Sequence, residues 1–229
     1  MIYEDREDAG RRLAERLMSY RDADPYILAL PRGGVVVGYE VARALSAPLD
    51  VVIARKLGAP IQPEFGFGAV APGGVRVLNE EAVRMLGLTD RDVDRIVAHE
   101  MQEIDRRTRQ YRDERPPPDV RNRTAILVDD GLATGVTALA AVQAVRKWGP
   151  RRLVLAVPVA PPQAVEALSP HVDELVCLDT PASFQAVGQW YYEFPQTTDQ
   201  EVIDLLQSAE RHAAQGAHWG GGPDFGAGI

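Results

Sequence analysis

In 126-ILVDDGLATGVT-137 an apolar run ends in two adjacent acids, Asp129 and Asp130, then passes through small residues into a helix. Ile126, Leu127 and Val128 read as a buried strand, because aliphatic residues run together without polar alternation. Two carboxylates at the mouth of such a strand repel each other and lose hydration. A helix cap needs only one. Downstream, Leu139, Val142, Val145 and Trp148 recur at a spacing of about three, which predicts a helix over 136–148. The first amides of a helix have no partner inside it and carry the positive end of its dipole. A loop of Gly, Ala and Thr lets a phosphate approach those amides, and the Thr134 and Thr137 hydroxyls add donors. The paired acids suit ribose hydroxyls or a divalent cation. A phosphate beside a vicinal diol describes a ribose 5-phosphate.

A second candidate is 30-LPRGGVVVG-38, where a strand ends, two glycines allow close backbone approach, and a helix opens. Arg32 brings a fixed charge whose planar fork matches phosphate oxygens. A dinucleotide-binding loop is the competing assignment, but Gly33, Gly34 and Gly38 do not give the G-x-G-x-x-G spacing. Lys56 is the third. Of 25 basic residues only Lys56 and Lys147 are lysine, and Lys56 follows the predicted strand 49–55 beside the other two loops. With Arg55 it has the charge to neutralise a diphosphate. The four histidines are scattered without metal spacing.

The elements that would position these residues alternate. A helix is predicted over 10–21, then a strand at 26–31, a helix at 35–45 and a strand at 49–55. From 125 the rhythm resumes as strand 125–129, helix 136–148, strand 152–159, helix 161–169 and strand 174–178. This is the signature of an α/β fold with a doubly wound parallel sheet, which binds ligands at the carboxyl ends of its strands. Between 56 and 123 the rhythm breaks into a glycine-rich hairpin at 65–79 and a helix at 89–112, capped by Thr89 and Asp92. The expected organisation is one domain over 1–212, an insertion at 56–123, a hood at about 179–198, and a Gly-rich tail over 213–229 read as flexible, with Trp219 and Phe225 as docking candidates.

Bulk properties narrow the field. A net charge of −8 over 229 residues disfavours a nucleic-acid surface, which needs a basic stripe. The single cysteine, Cys177, excludes an internal disulfide. The charged start MIYEDREDAGRR lacks an apolar signal region, and no run approaches the ~18 apolar residues of a membrane span. A cytoplasmic location without membrane partners is expected.

The segment from Ala125 to Thr137 resembles the phosphoribosyl-diphosphate (PRPP) motif of type I phosphoribosyltransferases: four apolar residues, two acids, a short and mostly small stretch, then Thr-Gly-x-Thr. Leu132 is the one bulky residue in the small stretch. The resemblance implies that Asp129 and Asp130 hold the ribose hydroxyls and that Ala133, Thr134, Gly135, Val136 and Thr137 cradle the 5-phosphate. It implies that Arg32, Gly33 and Gly34 bind the diphosphate, with a cis non-proline peptide admissible in that loop. The Arg-Gly-Gly sequence resembles the xanthine and guanine members. The implied reaction is Mg²⁺-dependent transfer of the 5-phosphoribosyl group to a nitrogenous base or amine, part of nucleotide metabolism. Asp129, Asp130, Arg32 and Lys56 are then the catalytic candidates. No protein metal cage is expected, because Mg²⁺ takes its ligands largely from substrate oxygens. Family members are commonly homodimers.

Phe184 and Trp190 in 180-TPASFQAVGQWYYEF-194 are the candidates for stacking on the acceptor, with an aromatic core patch as the alternative. From Leu153 to Glu210 there is no Lys or Arg but nine acids, which points away from orotate and toward a neutral or cationic acceptor. Gln185, Gln189 or the Trp190 indole N–H are left to read the acceptor. Two other classes stay open: a PRPP-sensing regulator without turnover, and a nucleotide-binding oxidoreductase.

Overall fold

Strands built from uninterrupted aliphatic runs must be covered on both faces, and that requirement sets the architecture. A computed structural model describes residues 2–60, 65–113 and 115–217. After helix α1 (Arg6–Leu17) come β1 (Pro25–Ala29), α2 (Gly33–Leu45) and β2 (Leu49–Val51). The insertion holds β3 (Arg55–Gly58), β4 (Gly66–Ala71), β5 (Val75–Leu78), α3 (Glu80–Met85) and α4 (Asp90–Arg112). The second half runs β6 (Thr124–Val128), α5 (Val136–Lys147), β7 (Arg152–Val159), α6 (Pro162–Leu168), β8 (Glu174–Asp179) and α7 (Asp199–Ala217).

The central sheet is parallel with order β2-β1-β6-β7-β8. Side chains alternate between its faces. Ile27, Ala29, Ile126 and Val128 join Leu13, Leu17, Val41 and Leu45 from α1 and α2 on one side. Leu28, Leu127 and Leu155 join Val142, Val145 and Leu168 from α5 and α6 on the other. A side chain such as Leu127, 0% exposed, contributes about 1.5–3 kcal/mol by burial, and its truncation to Ala would cost about 2–5 kcal/mol. Strand β1 pairs with β2 on one side and β6 on the other, so the chain reverses winding direction between β1 and β6. Ligands bind at this switch point, outside the carboxyl ends of the strands. Ala29 and Val128, the last residues of β1 and β6, lie side by side in register.

Strands β3, β4 and β5 form a separate antiparallel sheet. Its small residues Ala69, Ala71 and Val75 pack on Ala140 and Ala144 of α5. Helix α4 has the expected reciprocal capping by Thr89 and Asp92. Helix α4 is held to β3 by Arg55 Nε and Glu100 at 2.8 Å, and to the body by contacts that include Arg112 with buried Asp50 at 2.9 Å and the Tyr111 hydroxyl with Asp199.

Several expectations need correction. The predicted strand 49–55 is two strands, because β2 ends at Val51 and the chain then joins the antiparallel sheet. Lys56 therefore belongs to β3, opposite Ala69 of β4. The first helix starts at Arg6, capped by Asp5, whose side chain accepts from the Asp8 amide. Helices α3 and α7 were not anticipated, and α7 extends into the segment read as a flexible tail. Trp219 and Phe225 lie outside the described residues. Among those residues, no helix is long and apolar enough to cross a membrane.

Candidate active site

Because β1 and β6 are neighbours, the loops that leave them must share one space. Gly33 and Gly34 are what lets them do so. A Cβ on Gly33 would stand 2.0 Å from Asp130 Oδ2, and one on Gly34 would stand 2.9 Å from Asp129 Cα and 3.0 Å from its Oδ1. No side chain fits at either position while the acids hold their places. The Pro31–Arg32 peptide is cis, a form the sequence resemblance admitted. The amide of Leu30 donates to Val128 O at 2.9 Å, which fastens the two strand ends together.

The two acids differ in their surroundings. Asp129 turns back on the chain, with Oδ1 accepting from the Asp130 amide at 2.8 Å. Burial, and then the charge of Asp130, raises its carboxyl well above the ordinary range. Asp130 has a cation of its own: Arg6 Nε donates to Oδ2 at 2.7 Å, with side chains 10% and 15% exposed. The pair therefore need not carry two bare charges.

After the acids, Gly131 (φ +155°) lies against Val187, and Gly135 (φ +74°) lies against Leu168. Both positive angles suit glycine alone. Gly135 precedes the first turn of α5, and no side chain caps that turn. Ala133 and Thr134 are exposed beside it. An uncapped helix start beside a small, exposed loop has the chemistry that suits an anion.

Arg32, at the start of α2, stands 3.8 Å from Asp199 of α7. Asp199 also accepts from Gln110 Nε2 at 3.3 Å, so α4 and α7 converge on the arginine. Lys56 runs over Gly66, where a Cβ would meet its Cε at 2.3 Å. It is placed on β3, opposite Ala69 of β4. Arg55 is engaged with Glu100.

The hood is built on the N-terminal segment, a partnership that was not read from sequence. Tyr3 N donates to Trp190 O at 2.8 Å, Tyr192 N to Tyr3 O at 2.9 Å, and Glu193 N to Glu4 O at 2.9 Å. The Tyr191 hydroxyl donates to Asp130 O at 2.5 Å. Phe184 and Trp190 lie nearly parallel, with centroids 6.3 Å apart and planes at 14°, and both pack against buried Tyr3, Val159 and Tyr191. Gln189 Oε1 accepts from the amides of Gln185 and Ala186 at 3.1 Å, which holds the turn. Trp190 Nε1 is buried without a hydrogen-bond partner among the described residues. Buried donors are nearly always satisfied.

Arg6 is the residue that sequence reasoning missed. Besides Asp130, its Nη1 donates to Pro195 O at 2.7 Å, and its Cζ lies 3.7 Å over the Phe194 ring. Asp130 is 124 positions away, and no local spacing links the two. The one available signal was that the hood segment contains no base of its own.

Comparisons with known proteins agree on a family. A sequence profile of the phosphoribosyl transferase domain matches residues 1–193. A provisionally named phosphoribosyl transferase of Mycobacterium tuberculosis is 47% identical over 214 residues, covering 93% of this chain and 48% of the relative. The chain thus spans about half the length of that relative. A uracil phosphoribosyltransferase of Lactobacillus gasseri is 33% identical over 156 residues, 62% of this chain and 68% of its own. The crystal structure of TT1426 from Thermus thermophilus matches with a TM-score of 0.77 at 45% identity, covering 91% of this chain and 99% of that one.

Proposed function

The chain belongs to the phosphoribosyl transferase domain family, and from that premise we propose that it transfers the 5-phosphoribosyl group of PRPP to a nitrogenous acceptor, releasing diphosphate. The observation that carries the proposal is the contact of the Arg32-Gly33-Gly34 loop with Asp129 and Asp130 at the switch point of the sheet. One loop offers a cation and backbone amides; the other offers two acids and an uncapped helix start.

In the proposed complex, the α5 loop from Ala133 to Thr137 holds the 5-phosphate, and Asp129 and Asp130 accept hydrogen bonds from the ribose hydroxyls. Arg32 and the Gly33 and Gly34 amides hold the diphosphate. As the C1′–O bond breaks, its electron pair leaves on the diphosphate. The acceptor nitrogen supplies the pair for the new C1′–N bond and releases its proton. Charge grows positive on the sugar and negative on the leaving group, so fixed charges and exclusion of water matter more than a covalent nucleophile. Lys56 is kept as a proposed diphosphate contact that needs approach from β3.

Among the described residues, no group of three or more His, Cys, Asp or Glu side chains could hold a metal. The carboxylates of Asp129 and Asp130 are hard oxygen donors that fit Mg²⁺ carried on PRPP. When bound, the ion supplies neutralisation of the leaving diphosphate. We further propose residues 1–212 as the working domain, with the insertion at 56–123 and the hood at 179–198. Phe184 and the Trp190 N–H are the proposed acceptor contacts, favouring a neutral or cationic acceptor.

The test is diphosphate release from PRPP and Mg²⁺ over a panel of uracil, purines, orotate and simple amines. Release with a neutral or cationic acceptor is expected. PRPP binding without release for any acceptor would replace the transferase by a regulator that senses PRPP. Release with orotate alone would refute the acceptor class.

A further inference from the structure

Arg6 touches the acidic loop and the hood and borders the Gly33 loop. Its Nε meets Asp130 Oδ2 at 2.7 Å, its Nη1 meets the Pro195 carbonyl at 2.7 Å, and its face covers Phe194 at 3.7 Å. A Cβ on Gly33 would also lie 2.7 Å from Arg6 Nε, so the same guanidinium borders the diphosphate loop. The stretch 153–210 contains no Lys or Arg, so the base that meets Pro195 and Phe194 comes from the other end of the sequence. A planar fork that spends one edge on a carboxylate, another on a backbone carbonyl and its face on a ring is a geometry only arginine supplies.

We propose that Arg6 is a positioning residue that joins Asp130 to the hood, so that a ligand seated on Asp130 orders residues 190–195. The proposal rests on the reading of Asp130 as a PRPP contact. Arg6 leaves Oδ1 of Asp130 as the oxygen for a ribose hydroxyl by occupying Oδ2. A shift of the carboxylate on ligand binding pulls the guanidinium, and through it Pro195 and Phe194. The Tyr191 hydroxyl, bonded to the Asp130 carbonyl at 2.5 Å, is a second tie between the same two regions. In the other direction, a hood held in place fixes the carboxylate before the substrate arrives.

The experiment combines PRPP–Mg²⁺ calorimetry with amide hydrogen exchange of segment 190–195, in wild type, Arg6→Met and Arg6→Lys. In wild type, PRPP should slow exchange at Tyr192 and Glu193, whose amides bond Tyr3 and Glu4. Arg6→Met should bind PRPP about tenfold or more weakly, the loss of one charge-assisted contact, and PRPP should no longer protect the segment. Arg6→Lys keeps the charge for Asp130 without the fork or the flat face. It should recover most of the PRPP affinity while the protection stays lost. A residue that only stabilises the fold would instead lower the melting temperature and leave the ligand-induced protection intact. If either variant binds PRPP as wild type does and protects 190–195 equally, the proposal is overturned while the PRPP site stands. If wild type itself binds no PRPP, the functional reading falls and this proposal falls with it.

Discussion

Gly33→Ala adds a single methyl group, and the structure says where it goes. The new Cβ would lie 2.0 Å from Asp130 Oδ2, 2.7 Å from Asp130 Cγ and 2.7 Å from Arg6 Nε. Non-bonded heavy atoms settle well beyond 3 Å, so the carboxylate must retreat by about 1 Å or more. It is the end of a short side chain that can turn away, and what the fold loses is its bond to Arg6 Nε at 2.7 Å. Gly33 opens α2 without a positive φ, and alanine there gains about 0.5–1 kcal/mol of helix preference over glycine. The cost falls on function. A misplacement of about 1 Å in a positioning group lowers rate or binding by about 10²-fold, equivalent to about 2.7 kcal/mol. Calorimetry with PRPP and Mg²⁺ measures the loss, and thermal melting checks that stability stays within about 1 kcal/mol. The control is Gly87→Ala, at φ +64° with no atom within 4 Å. It should cost about 1–2 kcal/mol of stability and leave PRPP binding alone. Gly33→Ala binding PRPP within about threefold of wild type would refute the idea that these glycines exist to admit the acids.

The remaining predictions concern charge. Burial and the neighbouring Asp130 raise the Asp129 carboxyl above its ordinary 3.8, so the folded protein keeps that proton to a higher pH than the unfolded chain does. The stability linked to it is present below about 3.8 and lost as pH rises through the raised value. Asp129→Asn cannot ionise, and its melting temperature relative to wild type should climb over that window; a difference flat with pH would contradict this. Arg112→Met leaves Asp50 buried without its partner at 2.9 Å, the two side chains being 8% and 7% exposed. Denaturant unfolding should record a loss of about 3–5 kcal/mol, and a loss below about 1 kcal/mol would show that Asp50 simply takes up a proton. Asp199→Asn releases Arg32 from a part-exposed pair at 3.8 Å. Such a pair contributes at most about 1 kcal/mol, so diphosphate should bind up to about fivefold more tightly at low salt; unchanged or weaker binding would mean that Asp199 aims Arg32 rather than competing for it.

What the sequence reveals and what it hides follow from the range of the interactions. Strand β6, its acidic loop and helix α5 are legible because an apolar run gives way to a three-to-four spacing within a dozen residues. The parallel sheet follows from the alternation of elements, whereas the meeting of the Arg32 and Asp129 loops depends on the pairing of β1 with β6. The strand boundary before Lys56 is hidden because the run from Leu49 to Arg55 reads as one strand. Its break after Val51 depends on β4, which claims Arg55 onward by antiparallel pairing. Helix α7 was overlooked although Thr198 and Glu201 cap each other and Val202, Leu206 and Ala209 make a buried stripe. In sequence this stretch reads as one without bases, although Asp199 and Glu201 form the first turn of the helix. Arg6 could not be found at all. Its role arises only when the chain returns, more than a hundred residues later, to lay the hood across the N-terminal segment.

The most direct measurement is titration of PRPP with Mg²⁺ into wild type and into Asp129→Ala/Asp130→Ala, followed by calorimetry. Wild type should bind, and the double variant, still folded because both acids sit at a loop beyond the β6 end, should show no binding over the same range. Equal PRPP binding by the two proteins would contradict the assignment of the β6 loop as the phosphoribosyl site.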